Sequence, residues 1–345
     1  MYSAVPVEAP RPVSWPSVAV VVPTLGDRAD LLEQTLRRIN EQDYPGSVDC
    51  VVVLDRRSPD SRPAVGQPVP TVGQPVPAPP SNGQGGWEST VAVAEAAGAT
   101  VIDNERTPGL AGSRNSGILA TTAEFVAFCD DDDYWEQGKL QGQAATLAAN
   151  PKSAIVCCGI NLEYGDKVFT RVHPATSVTF EELLRSRVMA MHVSSFVARR
   201  AALLDGVGLV SEEIPGSRAE DYELLLRAAR YGPVLNVPEP WVHVRWHKQR
   251  KAMYGRWPVV AQALPWLLDR YPEFSSSPTG YARIAGQVAF AYAAAGDRAK
   301  AFSWVWRTVR ANPRELRPYI ALGVMSGLIH PDAVVRWLHE RGRGL

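Results

Sequence analysis

Phe125-Val126-Ala127-Phe128-Cys129-Asp130-Asp131-Asp132-Asp133 runs from five apolar residues straight into four carboxylates. An apolar run of this length, ended by a polar break, suits a strand buried on both faces of a sheet. Two earlier runs, Val18–Val22 and Val51–Leu54, read the same way, and Asp55 closes the second as Asp130 closes this one. Between those two, Asp30 to Ile39 places Leu31, Leu32, Leu36 and Ile39 at helical spacing. Parallel strands joined by a helix make a right-handed βαβ unit. The alternation continues with a helical pattern over Trp87–Ala97, a short strand at Thr100–Asp103, and a helix from Leu110 to Ala120 after the breaker Pro108-Gly109. It predicts an α/β fold with a Rossmann-like, mostly parallel sheet and helices on both faces. Ligands in such sheets bind beyond the carboxyl ends of the strands, where Asp55 and Asp130–Asp133 fall.

Working outward, residues 1–16 form a Pro-rich tail expected to be flexible, and residues 17–255 form the sheet domain. Within that domain, residues 58–86 are rich in Pro, Gly, Gln and Ser and contain Val-Gly-Gln-Pro-Val-Pro twice, from Val65 and from Val72. Such a segment has too little apolar surface to repay ordering and is expected to be a disordered insertion. Residues 256–345 read as a C-terminal helical region, with patterns at Val259–Asp269, Tyr281–Ala295, Ala299–Ala311 and Pro318–Leu328. The paired helices around Gly296-Asp297 suggest a hairpin used as a cap.

The chain has 345 residues, of which 46% are apolar, enough for a large core. Lys and Arg number 36, as do Asp and Glu, so no global charge recruits nucleic acid. Cys50, Cys129, Cys157 and Cys158 lack metal or redox spacing, which suits buried thiols in a reducing compartment. The start lacks the basic and apolar segments of a signal peptide, and Tyr319–Ile329 is too short to span a bilayer. The expectation is a cytoplasmic protein, with peripheral contact at the inner membrane face and a homodimer through the helical tail both left open.

Four adjacent carboxylates repel unless a cation neutralises them. Along an extended backbone Asp130 and Asp132 point the same way, so they are the candidate ligands for one Mg²⁺ or Mn²⁺. Asp133 with Glu136 reads as a capping box for the next helix. Ser217 with Glu220 reads as a second one, before the amphipathic helix marked by Tyr222, Leu225, Leu226 and Ala229. A carboxylate held at that helix start, Asp221, is the candidate general base. In Trp241–His247 the alternation puts His243, Arg245 and His247 on one face, either as the polar face of an edge strand or, for Arg245 and His247, as contacts to a diphosphate or a metal.

Taken in order, Val20-Val21-Val22-Pro23-Thr24, Val53-Leu54-Asp55, Gly109-Leu110-Ala111-Gly112-Ser113-Arg114-Asn115-Ser116-Gly117, Phe128–Trp135 and Glu220-Asp221 resemble the family 2 glycosyltransferases of GT-A fold. The resemblance spans roughly Ser17 to His247. It implies an inverting, hexosyltransferase-like single displacement from a nucleoside-diphosphate sugar to a hydroxyl of a glycan, lipid-linked or small-molecule acceptor. A UDP-sugar is the first expectation, with dTDP- and GDP-sugars as alternatives. By the same resemblance, Pro23 and Thr24 would line the nucleotide pocket and Asp55 would approach the base or ribose. Arg114 and Asn115 would hold the donor side. Asp130 and Asp132 would be the metal carboxylates, with Asp131 near the donor sugar or ribose. Asp221 would be the base, with Glu220 beside it at the substrate. Arg245 and His247 would close over the diphosphate. Arg56 and Arg57 depart from the family pattern, which usually places an acid after Asp55.

Two rivals remain at this stage. A sugar nucleotidyltransferase would carry a Gly-rich basic loop after the first strand, where this chain has only Pro23-Thr24-Leu25-Gly26-Asp27. A non-catalytic nucleotide-sugar-binding scaffold has no need of both the aspartate run and Glu220-Asp221.

Overall fold

The computed structural model describes residues 14–56, 84–246 and 257–344. The expected N-terminal tail lies mostly outside these residues, as do most of the 58–86 insertion and His247.

The first half alternates as its sequence pattern requires: β1 (Val18–Thr24), α1 (Ala29–Asn40), β2 (Val48–Leu54), α2 (Gln84–Ala96), β3 (Thr100–Asp103), α3 (Leu110–Ala120) and β4 (Phe125–Phe128). These four strands pair in parallel in the order β3-β2-β1-β4. Helix α2 begins at Gln84, three residues inside the segment expected to be a disordered insertion. Every residue of β1 is buried. Its alternation shows why an unbroken apolar strand is needed here. Val21 joins one core with α3 residues Ala111 and Ile118, while Val18, Val20 and Val22 join the opposite core with α1 residues Leu32, Leu36 and Ile39.

The second half contains β5 (Tyr134–Trp135), α4 (Lys139–Ala148), β6 (Ile155–Tyr164), β7 (Lys167–Arg171), β8 (Ser177–Val178) and α5 (Phe180–Arg185). It continues with β9 (Val197–Arg199), α6 (Arg200–Asp205), α7 (Glu220–Tyr231) and β10 (Val234–Arg245). The sheet extends as β4-β9-β6-β10-β5. Strand β9 runs antiparallel between β4 and β6, so the parallel order of the first half becomes mixed beyond β4. The C-terminal end of β10 lies beside the aspartate run, where the Arg245 backbone N–H donates to Asp133.

Among the described residues five helices follow: α8 (Trp257–Arg270), α9 (Pro278–Ala294), α10 (Arg298–Ala311), α11 (Arg317–Met325) and α12 (Pro331–His339). Helix α9 is their centre, with Ala289, Phe290, Ala291 and Ala293 packed against Trp257, Ala301, Val305, Ala321 and Val335. Asp297 caps α10 by accepting from the Lys300 N–H at 3.1 Å, which makes Gly296-Asp297 the turn expected from sequence. Among the described residues no helix is long and apolar enough to cross a membrane.

Candidate active site

The site forms where β1, β2 and β4 end together. Thr24, the last residue of β1, donates from Oγ1 to Asp131 Oδ2 at 2.6 Å and accepts from the Gly26 N–H at 3.1 Å. Pro23 lies beside Val53 in the β1–β2 pairing. At the end of β2, the buried Asp55 carboxylate accepts from the Gly109 N–H and, at 3.1 Å, from Asn104 Nδ2. Asp55 therefore anchors the turn that launches α3. Helix α3 lies close against the sheet and loop: a Cβ at Gly112 would fall 1.9 Å from the Thr107 carbonyl oxygen, and one at Gly117 2.3 Å from Val21 Cγ1. The small residues of the Gly109–Gly117 motif thus bring Arg114 up to the aspartates.

Each carboxylate of the run meets a different environment. Asp130 Oδ1 accepts from Arg114 Nη2 at 2.9 Å. Burial alone would raise the Asp130 pKa, but Arg114 and then His192 hold it below the usual value. Asp131 and Asp132 both receive the Arg28 guanidinium. Burial pushes Asp131 up to about 7 despite Arg28. Asp133 accepts from Ser194 Oγ at 2.5 Å and from the Arg245 backbone N–H at 3.3 Å. Burial, reinforced by Asp132 and Asp130, raises Asp133 well above the carboxylate range. Asp133 is therefore not the helix cap expected from sequence. Helix α4 starts six residues later, after Gly138, and Glu136 instead pairs with Arg38 at 3.2 Å.

Glu220 and Asp221 open α7 on the other side of the same cluster. Arg114, 1% exposed, joins the two sides by donating from Nη1 to Glu220 Oε1 at 2.7 Å while its Nη2 holds Asp130. Asp221 pairs with Arg187. Burial would raise the Asp221 pKa, but Arg187 and His192 keep it below the usual value. Burial lowers His192, while Asp130 and Asp221 pull it upward, and its Nδ1 lies 3.5 Å from Asp133 Oδ2. The second expected capping box is also absent: the residue before α7 is Ala219, with no side-chain cap bond. Ser217 and Ala219 instead take positive φ values of 47° and 66°, which L side chains disfavour. Strained backbone, not a serine cap, sets the direction from which Glu220 and Asp221 enter.

The remaining candidates divide. Arg245 lies over the Tyr134 ring at 4.6 Å, bonds to Gln34, and keeps a buried Nη1 without a hydrogen-bond partner among the described residues. It stands beside the acidic run through its backbone bond to Asp133. Asn115 turns away from the carboxylates: its amide bonds to Val210 O at 2.8 Å and Glu212 Oε1 at 2.6 Å, and it accepts from the Val210 N–H. That locks α3 to a following loop and leaves no side-chain amide N–H aimed at the run. Arg56 pairs with Asp103 at 2.6 Å. A hollow of about 500 Å³ lined by Thr179, Phe180, Arg230 and neighbours holds none of these groups.

The donor set fits a divalent cation. Asp130, Asp133 and His192 each offer one ligand atom, all within 4.8 Å of one another. Two carboxylates and one imidazole suit Mn²⁺ or a similar ion. Asp132, expected from sequence beside Asp130, faces Arg28 here. Sequence reading missed Arg28, Arg187, His192 and Ser194. Arg28 was legible as a cation just after the first strand, but the other three sit in irregular segments whose pattern points to no partner.

Residues 87–206 match the family model described as Glycosyl transferase family 2. A curated relative from Haemophilus influenzae, an uncharacterized glycosyltransferase, is 23% identical over 179 residues. That match takes in 50% of this chain and 59% of the relative, so the chain spans under two thirds of the relative's length. Among solved structures, S. aureus TarS 1-349 in complex with UDP-GlcNAc aligns with a TM-score of 0.54 at 18% identity, over 95% of this chain and 92% of that one. The mannosyltransferase PcManGT of Pyrobaculum calidifontis, in complex with GDP-Man and Mn²⁺, aligns with a TM-score of 0.51 at 20% identity, over 94% and 84%. These likenesses establish the GT-A fold.

Proposed function

We propose, from the match of residues 87–206 to the model of glycosyl transferase family 2, that the cleft of this chain moves a sugar from a nucleoside-diphosphate sugar to an acceptor hydroxyl with inversion. The observation that carries this reading is Arg114, buried between Asp130 and Glu220 and so tying the acidic run to the carboxylate pair. One side offers groups suited to a metal-bound diphosphate, the other a carboxylate suited to an acceptor. The two solved relatives hold UDP-GlcNAc and GDP-Man, both nucleoside-diphosphate sugars, which supports the donor class. A UDP-sugar is the first choice, with dTDP- and GDP-sugars next, and the acceptor is a glycan, a lipid-linked saccharide or a small molecule.

In this reading Pro23, Thr24 and Asp55 line the nucleotide side, and Asp131 approaches the ribose or sugar. Asp130 and Asp132, with Asp133 and His192 in reach, would hold Mn²⁺ or Mg²⁺. Such an ion, when bound, supplies positive charge to the diphosphate leaving group. The Arg245 Nη1, without a hydrogen-bond partner among the described residues, offers a further donor to phosphate oxygen. Asp221 stays ionised because Arg187 and His192 favour its charged form. It accepts the acceptor hydroxyl's proton as that oxygen attacks the anomeric carbon from the face opposite the diphosphate. Glu220, held by Arg114, fixes the start of α7 and so the Asp221 position.

The test is a panel of nucleoside-diphosphate sugars incubated with Mn²⁺ or Mg²⁺, with nucleoside diphosphate release as the readout. Release from one or two donors, abolished by chelation and by Asp132→Ala, is expected. No release from any donor under any metal condition would remove the proposal.

A further inference from the structure

We infer that the C-terminal helices carry a docking surface for anionic phospholipid, centred on the outer face of α10. Helix α10 turns Ala301, Val305 and Thr308 inward, where all three are buried. Phe302 and Trp306, four residues apart and therefore on one face, point out and are 59% and 63% exposed. A soluble surface rarely displays two large aromatics in one stripe without a use for them. Arg298, Lys300, Arg307, Arg310 and Arg314 are all exposed on the same helix or just beyond its end. Further large side chains stand exposed on the same helical unit, Leu316 at 69%, Leu328 at 85% and Trp337 at 51%.

Charge selects the occupant. From Asp297 to Gly344 nine Lys and Arg face four Asp and Glu, a surplus of five positive charges in a chain whose formal net charge is zero. A second copy presenting the same face would bring like charges together, which opposes self-association there. An anionic bilayer satisfies both features, since the cations meet lipid phosphate while the aromatic stripe enters the interface. Neither signal alone holds a protein at a membrane, whereas an apolar and a basic signal combined do. This inference does not rest on the sugar-transfer reading.

The experiment is co-sedimentation of the full chain with vesicles of mixed phosphatidylglycerol and phosphatidylcholine, against vesicles of phosphatidylcholine alone. Binding to the anionic vesicles only, weakened by added salt, is expected. The pairs Phe302→Ser with Trp306→Ser, and Arg307→Glu with Arg310→Glu, should each lower the bound fraction about tenfold. Their thermal midpoints should match the parent, because all four side chains are exposed. Absent binding to anionic vesicles, equal binding to both compositions, or unchanged binding by both variant pairs would overturn the inference. So would a concentration-dependent dimer, seen by light scattering, that the aromatic pair dissolves, because that result assigns the face to a second copy.

Discussion

In the cleft, Arg114 lies buried between Asp130 and Glu220, whereas on α10 the similarly basic Arg307 and Arg310 stand in solvent beside an exposed tryptophan. The sheet domain gathers opposite charges inward and ties those of the cleft to named partners. The helical unit turns its cations and part of its apolar surface outward. A buried ion costs several kcal/mol to desolvate, and removing one member of a buried pair leaves the other uncompensated, so cleft substitutions must propagate. An exposed one is screened, so surface substitutions must stay local. The contrast separates residues that shape chemistry from residues that shape attachment, and it can be broken at either end.

The largest effect is expected at Asp221. Asp221→Asn keeps the shape and removes proton acceptance, so transfer to acceptor should fall by about a thousandfold. Donor binding, measured by calorimetry, should be retained. Transfer at the parent rate would show that α7 contributes only scaffold to the cleft.

Next comes the bridge. Arg114→Ala leaves two buried carboxylates facing each other without their cation and should cost about 3–5 kcal/mol in urea unfolding. A loss as small as that of a surface arginine would erase the contrast.

Lys139 sharpens it from inside the sheet domain. It is fully buried, its Nζ lies 3.7 Å above the Trp135 ring, and it has no hydrogen-bond partner among the described residues. Burial lowers its pKa from 10.5 to about 8. Between those values the unfolded chain binds a proton that the folded chain does not, so stability rises with pH across that window. Below about 8 both states hold the proton and the full burial cost remains. Lys139→Met should therefore stabilise by about 2 kcal/mol below that window, and the gain should shrink as pH climbs toward 10.5. Denaturant titrations on both sides of the window measure it.

Arg28 tests how the aspartate run is neutralised. It pairs with Asp131 and Asp132. In Arg28→Ala, added Mn²⁺ should raise the thermal midpoint a few degrees more than in the parent, an increment of roughly 1 kcal/mol. An equal rise in both proteins would mean that arginine and ion do not share those carboxylates. The smallest change is expected at Trp306→Ser, within about 0.5 kcal/mol of the parent in the same unfolding assay. A larger loss would mean that the α10 face is packed in solution.

Much of the fold was legible because its signals are local. Five apolar residues before Asp130 announce a buried strand whatever lies elsewhere, and Leu32, Leu36 and Ile39 announce a helix face by spacing alone. The caps misled for the complementary reason. Asp133 and Glu136 have capping-box spacing, but the partner that claims Asp133 is Ser194, 61 positions away. Ser217 likewise has the spacing but a φ of 47°, a backbone state the spacing does not report. The terminal helix α12 falls inside the region expected to be helical but was not read as an element of its own, although Val334, Val335 and Leu338 stand at helical spacing.

Sequence by itself determined the parallel core of β1 to β4, the carboxylates at its edge and the helical character of the C-terminal region, since each follows from side-chain period over a few residues. Only the tertiary structure decided that Arg114 joins Asp130 to Glu220, that His192 stands beside Asp130 and Asp133, and that Asn115 serves a neighbouring loop. Those pairings are choices among charges distant in the chain. They are made by the cost of leaving a buried charge alone, which no local pattern records.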